Sequence, residues 1–146
     1  MAIRQIEPPQ AYQMLSKNPQ AVYLDVRTEG EFAQGHPEGA INIPVLFVKG
    51  PGVTEDNPDF LGVARKLLPQ DKTLVVGCLS GGRSQRACEM LERAGYSDLS
   101  NVCGGFGGAR DAGGRLVVTG WREAGLPVSD KVGDAGYQAL RKKAGV

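Results

Sequence analysis

A chain of 146 residues is the length of one domain and can bury about two-thirds of its unfolded surface, so it needs no disulfide or metal staple. Lys and Arg (17) nearly balance Asp and Glu (16), and a net charge of +1 without a basic tract gives no reason to expect nucleic acid or an anionic membrane as a partner. No stretch approaches the roughly 18 apolar residues of a membrane span, Met1 to Pro8 lacks an apolar signal core, and Cys78, Cys88 and Cys103 have no paired spacing, so a soluble chain in the reducing cytoplasm is expected.

In chain order, Pro8-Pro9 followed by Ala11, Met14 and Leu15 at helical spacing predicts a short opening helix, stopped by Asn18-Pro19. Ala21 to Val26 predicts the first strand, whose end releases Asp25 and Arg27 where a parallel sheet presents functional groups. Those two charges either serve the site or form a structural ion pair, with neighbours or with Arg83. Glu29 to Ala33 reads as a helical turn, and Gly35-His36-Pro37-Glu38-Gly39 as a tight bend. Ala40 to Ile43 predicts a short second strand, ended by Pro44. Residues 45–56, with Gly50-Pro51-Gly52 and Glu55-Asp56, have the composition of a loop. Asn57-Pro58-Asp59 then predicts a helix start, as N-cap, first-position proline and first-turn acid, with Phe60, Ala64 and Leu67 as its apolar face and Pro69 as its end.

Thr73-Leu74-Val75-Val76 is rich in β-branched residues and predicts a strand buried on both faces. The helix after it places Ser84, Ala87, Cys88, Leu91 and Gly95 on one face, opposite Gln85, Arg86, Glu89, Glu92 and Arg93. Cys78, at the junction, therefore faces a helix N-terminus, where unpartnered N–H groups and the macrodipole favour an anion. Gly81 and Gly82 allow a concave nest of N–H groups and Arg83 adds a positive charge, so a nucleophilic thiolate is expected. Gly95 ends the helix, and Leu99 to Cys103 is the next strand. Between Gly107 and Gly120, Asp111-Ala112-Gly113-Gly114 suggests a small hairpin or glycine-hinged flap, either rimming the Cys78 pocket or making a surface excursion. In the tail, Tyr137, Leu140 and Ala144 at helical spacing beside Arg141-Lys142-Lys143 either pack or fray. The alternation of strand and helix predicts an α/β fold, a mostly parallel sheet with helices on both faces and right-handed crossovers, without repeats or a domain boundary.

These stretches resemble the rhodanese domains, a family of thiosulfate sulfurtransferase-like proteins. Cys78-Leu79-Ser80-Gly81-Gly82-Arg83 fits that family's active loop, Cys-x-x-Gly-x-Arg. Leu24-Asp25-Val26-Arg27 with Glu31-Phe32, and Gly35-His36-Pro37-Glu38-Gly39-Ala40-Ile41-Asn42-Ile43-Pro44, are similar to its two upstream signatures. Asn101-Val102-Cys103-Gly104-Gly105-Phe106, and Trp121 with Gly125-Leu126-Pro127-Val128, resemble its closing segment. The likeness covers about residues 6–128, read as a single domain with an insert at about 107–120, and leaves 129–146 as a C-terminal tail with room for a short helix. Pro37 stands where the family usually has Ile, and Leu79 where many thiosulfate-using members have Arg.

The resemblance implies a rhodanese-like sheet of about five strands and sulfurtransfer through a persulfide on Cys78. A small anionic sulfur donor such as thiosulfate would load the thiol. The acceptor would be cyanide in an assay, and a thiol or carrier protein in the cell. Leu79, Ser80, Gly81, Gly82, Arg83 and Ser84 would bind the transferred sulfur or the donor, with Arg83 holding the loop or the donor's anionic end, and Asp25 and Arg27 would order the loop. No metal or organic cofactor is required. Zinc on His36 and the three cysteines fails on spacing. An ionised thiol needs no general base, so His36 is read as a structural hydrogen-bonding residue. Two alternatives differ in class. A cysteine phosphatase would carry five residues between cysteine and arginine, against four here, and a non-catalytic rhodanese-like binding module often lacks the cysteine. The oligomeric state is not legible in the sequence.

Overall fold

A run such as Leu74-Val75-Val76, apolar at every position, is satisfied only where both faces of a strand are covered. In the computed structural model, which describes residues 3–146, that condition is met by a sheet between two layers of helices. The chain begins with strand β1 (Arg4–Ile6), helix α1 (Pro8–Lys17), strand β2 (Val22–Asp25) and helix α2 (Glu29–Gln34). Short strands β3 (His36–Pro37) and β4 (Ile41–Asn42) precede a hairpin of β5 (Leu46–Gly50) and β6 (Val53–Asp56). Helix α3 (Phe60–Leu67), strand β7 (Leu74–Gly77), helix α4 (Gly82–Arg93) and strand β8 (Leu99–Val102) follow. A second hairpin, β9 (Ala109–Arg110) and β10 (Leu116–Val118), leads through β11 (Val128–Ser129) to a 3-10 turn at Gly133–Ala135 and helix α5 (Tyr137–Ala144).

The central sheet has five strands in the order β1-β8-β7-β2-β4, and each of its pairings is parallel. This is the α/β arrangement that the sequence predicts, with five strands in the main sheet. Strand alternation sends Leu24, Leu74 and Val76 to one side, where they meet Phe60, Val63 and Ala64 of α3 and Ala87, Cys88 and Leu91 of α4. Tyr23 and Val75 point to the other side, against Ala11 of α1, Phe32 of α2, Phe106 and Trp121. Burying a Val or Leu side chain fully contributes about 1.5–3 kcal/mol, so the three apolar residues that open β7 anchor the strand that leads to Cys78.

Four local expectations need correction or completion. Residues 46–56 form a hairpin rather than a loop, with Leu46 opposite Asp56 and Val48 opposite Thr54. Its β-branched residues pair across the Gly50-Pro51-Gly52 turn, although Val48 and Val53 are exposed. Helix α3 begins at Phe60, because Asn57 does not cap it. The Asn57 side chain instead donates to the Pro44 carbonyl (2.8 Å) and Tyr137 Oη (2.9 Å), while its Oδ1 accepts the Asp59 N–H (3.0 Å). The bond to Tyr137 anchors α5, whose Tyr137 and Leu140 are buried in the core beside α3, so the last helix packs rather than frays. Strand β1 was not expected, having Ile6 as its single buried side chain.

Candidate active site

Cys78 follows the last residue of β7, and α4 begins four residues later at Gly82. Its side chain is 2% exposed. Sγ accepts the Gly81 N–H at 3.1 Å and lies 3.4 Å from Ser84 Oγ. Gly81 has φ 123°, a conformation other residues rarely adopt; its N–H meets the sulfur while its carbonyl accepts the Gln85 N–H in the first turn of α4. The Ser84 hydroxyl has one proton for three acceptors, and Asn101 Oδ1 at 2.5 Å is nearer than the Gly81 carbonyl or Sγ. Asn101 Nδ2 donates in turn to Gln5 Oε1 at 2.9 Å, linking β1 and β8 to the loop. Of the six loop residues proposed from sequence, Gly81 and Ser84 reach the sulfur directly.

The loop is shaped from behind. The carbonyls of Cys78, Leu79 and Ser80 accept the N–H groups of Phe106 (2.8 Å), Gly107 (2.9 Å) and Gly104 (3.0 Å). A trans peptide points its N–H away from its carbonyl, so the N–H groups of Leu79, Ser80 and Gly81 are turned to the opposite side, as a nest requires. Gly105, at φ 48°, permits this approach; a Cβ there would stand 2.3 Å from the Cys78 carbonyl oxygen. The insert supports the same segment. A Cβ on Gly104 would meet Val118 Cγ1 at 2.7 Å, and one on Gly108 would meet Leu116 Cδ1 at 2.7 Å.

The charged residues divide into pairs. Arg83 gives Nη1 and Nη2 to the two oxygens of Glu31, at 2.7 and 3.1 Å. Glu31 also caps α2 with Thr28, whose N–H it accepts at 3.1 Å. Burial opposes its ionisation, but the Arg83 guanidinium and Thr28 outweigh it and hold the carboxyl at about 2. Asp25 and Arg27 pair with one another rather than with Arg83: Nε to Oδ1 at 3.0 Å and Nη2 to Oδ2 at 2.8 Å. Arg27 Nη2 also donates to the Gly35 carbonyl, and Asn42 Nδ2 donates to the carbonyls of Asp25 and Arg27. Together these bonds tie the end of β2 to Gly35 and to β4.

His36 is buried and stacked on Phe32 at 3.6 Å, and its Nδ1 lies 2.7 Å from the Phe32 carbonyl, which can only accept, so this nitrogen carries a proton. That is the structural role expected of it. Burial foremost, with Glu89 adding, pushes the Cys88 thiol up to about 12, and burial with the charge of Glu7 raises Cys103. Arg27, Glu31, Gly35, Leu79, Phe106 and Arg122 line a depression of about 200 Å³ at the loop. The insert borders a different depression of about 490 Å³, through Ala109 and Val118 beside Ser80, Gly81 and Cys103. It borders the loop there, beside Ser80 and Gly81, and does not line the depression at Leu79 and Phe106.

Sequence reasoning gave no role to Glu31, Asn101, Phe106 or Arg122. The Thr28-x-x-Glu31 capping box marks the start of α2, but the Arg83 partnership spans 52 positions and has no local signal.

A family model described as rhodanese-like domain matches residues 7–112. The chain is 45% identical over 91 residues to Protein HIGH ARSENIC CONTENT 1, mitochondrial, of Arabidopsis thaliana, covering 62% of this chain and 53% of that protein. It is 39% identical over 105 residues to Thiosulfate sulfurtransferase 16, chloroplastic, also of Arabidopsis thaliana, covering 72% of this chain and 77% of that one. The chain spans about half the length of several curated relatives it matches. Among solved structures it is similar to Rv0390 from M. tuberculosis, with a TM-score of 0.75 and 35% identity over 90% of this chain and 100% of that one. Sequence motifs, fold and comparisons agree that the chain belongs to the rhodanese-like domain family.

Proposed function

We propose that this protein is a sulfurtransferase that carries a sulfane sulfur as a persulfide on Cys78. The observation that carries the reading is the setting of the sulfur: Sγ at the head of α4, hydrogen-bonded by Gly81 N–H, inside a loop whose carbonyls are drawn away by residues 104–107. Such a ring of N–H groups favours negative charge on Sγ and, after transfer, on the outer persulfide sulfur. The names of relatives such as Thiosulfate sulfurtransferase 16 and Thiosulfate sulfurtransferase GlpE of Haemophilus influenzae support thiosulfate as the donor class.

In the first step the Cys78 thiolate attacks the outer sulfur of thiosulfate. An S–S bond forms to Sγ while the donor's S–S bond breaks, and its electron pair leaves with sulfite. In the second step a thiolate or cyanide takes the outer sulfur, and the electron pair of the persulfide bond returns to Cys78. No external oxidant or reductant is consumed. An ionised thiol needs no general base, and His36 is held by the Phe32 carbonyl instead. The cellular acceptor is a small thiol or a protein.

Thiocyanate formation from thiosulfate and cyanide tests this reading. Wild type and Cys103→Ser should turn over with ping-pong kinetics, and Cys78→Ser should not. Turnover by Cys78→Ser, or none by wild type, would overturn it.

A further inference from the structure

The guanidinium groups of Arg27 and Arg122 line the depression beside Leu79, Arg83 adjoins it through Glu31, and two of these three are committed to carboxylates. Arg27 gives Nε and Nη2 to Asp25, and Arg83 gives both terminal nitrogens to Glu31. Arg122 has a single 3.5 Å approach to Glu123, and the two side chains are 61% and 40% exposed, so that pairing is weak and screened. Glu31 also lines the depression, but Arg83 neutralises it.

Arg122 is held in place by backbone and by a buried anchor. Its N–H donates to the Phe106 carbonyl at 3.2 Å, and the preceding Trp121 N–H donates to Gly105 at 2.8 Å. Trp121 is buried, with Nε1 donating to the Pro127 carbonyl at 2.7 Å. Phe106 in turn donates its N–H to the Cys78 carbonyl. The Phe106 ring lies between two cations, with the guanidinium carbon of Arg27 at 4.6 Å from its centre and that of Arg122 at 5.4 Å. The uncommitted guanidinium thus stands over the aromatic wall of the depression that Leu79 and Arg27 share.

We propose that Arg122 binds the anionic half of the sulfur donor, the half that departs. This rests on the sulfurtransferase reading above and deepens it. Its planar fork matches two oxygens of an oxyanion, so the favoured donors are those whose leaving group is an oxyanion, sulfite from thiosulfate or a sulfinate from a thiosulfonate. The donor is held through its oxygens while its outer sulfur meets Cys78. The contact exists before transfer and tightens as the electron pair leaves with sulfite, so it sets donor affinity and also favours the loading step.

The test is single-turnover loading of Cys78 over a range of thiosulfate concentrations. Arg122→Gln should raise the half-saturating concentration about tenfold and Arg122→Glu further still, while Arg122→Lys, which keeps the charge but not the fork, falls between wild type and Arg122→Gln. The maximum loading rate should also fall, because the charge that arrives on sulfite meets the same group. Added salt should narrow the gap between wild type and Arg122→Gln, because the charge is exposed. Discharge of preloaded persulfide by dithiothreitol, an uncharged thiol, should be the same in all four proteins. If wild type loads and Arg122→Gln loads with the same half-saturation, or loses maximum rate and discharge together, the assignment of Arg122 is overturned and the sulfurtransferase reading stands. If wild type takes no sulfur from thiosulfate, both fall.

Discussion

Gly105→Ala probes the support of the loop without touching the sulfur. The added methyl would stand 2.3 Å from the Cys78 carbonyl oxygen and 2.8 Å from that of Leu79, and neither atom has a rotamer by which to withdraw. Real Cβ atoms essentially never come closer than 3.0 Å, so the Cys78 peptide must retreat by about 0.7 Å, the difference from 2.3 Å. The same peptide plane carries the Leu79 N–H, and the retreat re-aims it together with the Phe106 hydrogen bond. A misplacement of about 1 Å can cost about a hundredfold in rate, so persulfide loading should fall between about tenfold and a hundredfold. Alanine at φ 48° costs about 1–2 kcal/mol, and the weakened hydrogen bond about 1 more, for a Tm lower by roughly 5–10 °C. Loading rates measured well below the melting range, beside thermal melts, separate the two effects. Gly113→Ala, at the exposed tip of the second hairpin, is the control. Wild-type loading by folded Gly105→Ala would refute the idea that residues 104–107 shape the loop.

Other outcomes follow from the same geometry. Glu31 is depressed from the usual 4.5 to about 2 in the folded state, so it stabilises the fold fully above about 4.5 and loses that contribution as pH falls towards 2. With the pair 24% and 30% exposed, Glu31→Gln should cost about 1–2 kcal/mol at pH 7 and nearly nothing at pH 2; a pH-independent cost would contradict the pairing. Replacing residues 108–118 by a two-residue link removes Gly108 and Leu116 together and takes Val118 away from Gly104, and should lower Tm and the maximum loading rate with donor half-saturation within about twofold. An altered half-saturation alone would make the hairpin a lid instead. A glycine inserted between Gly81 and Gly82 should widen the loop and slow sulfurtransfer, and wild type should hydrolyse aryl phosphates negligibly; turnover of aryl phosphates through Cys78 would mean that four intervening residues do not exclude a phosphoryl group.

The strand, loop and helix around Cys78 are legible because each signal is local. An unbroken apolar run needs two covered faces, and Ser84, Ala87, Cys88 and Leu91 share the buried side of α4 as their spacing predicts. The β5–β6 hairpin escapes such reading because its four β6 residues are all exposed, so no alternation of burial marks it. Asn57 carries a capping residue's chemistry but uses it on Pro44 and on Tyr137, 80 positions away. At the site, residue types locate the cysteine and the nest, whereas what orients them is tertiary. The bonds from Phe106, Gly107 and Gly104 to the loop carbonyls are backbone contacts, visible in sequence only as a cluster of glycines. Arg83 reads as a charge for the anion, and its distant partner Glu31 makes it a strut between α2 and α4.

Mass spectrometry of peptides from protein treated with thiosulfate, and then with cyanide, tests the central claim most directly. The peptide containing Cys78 should gain one sulfur atom and lose it again as thiocyanate forms, while those containing Cys88 and Cys103 stay unmodified. Cyanide-labile sulfur on Cys103, or its accumulation in Cys78→Ser, would contradict the assignment of Cys78 as the sulfur carrier.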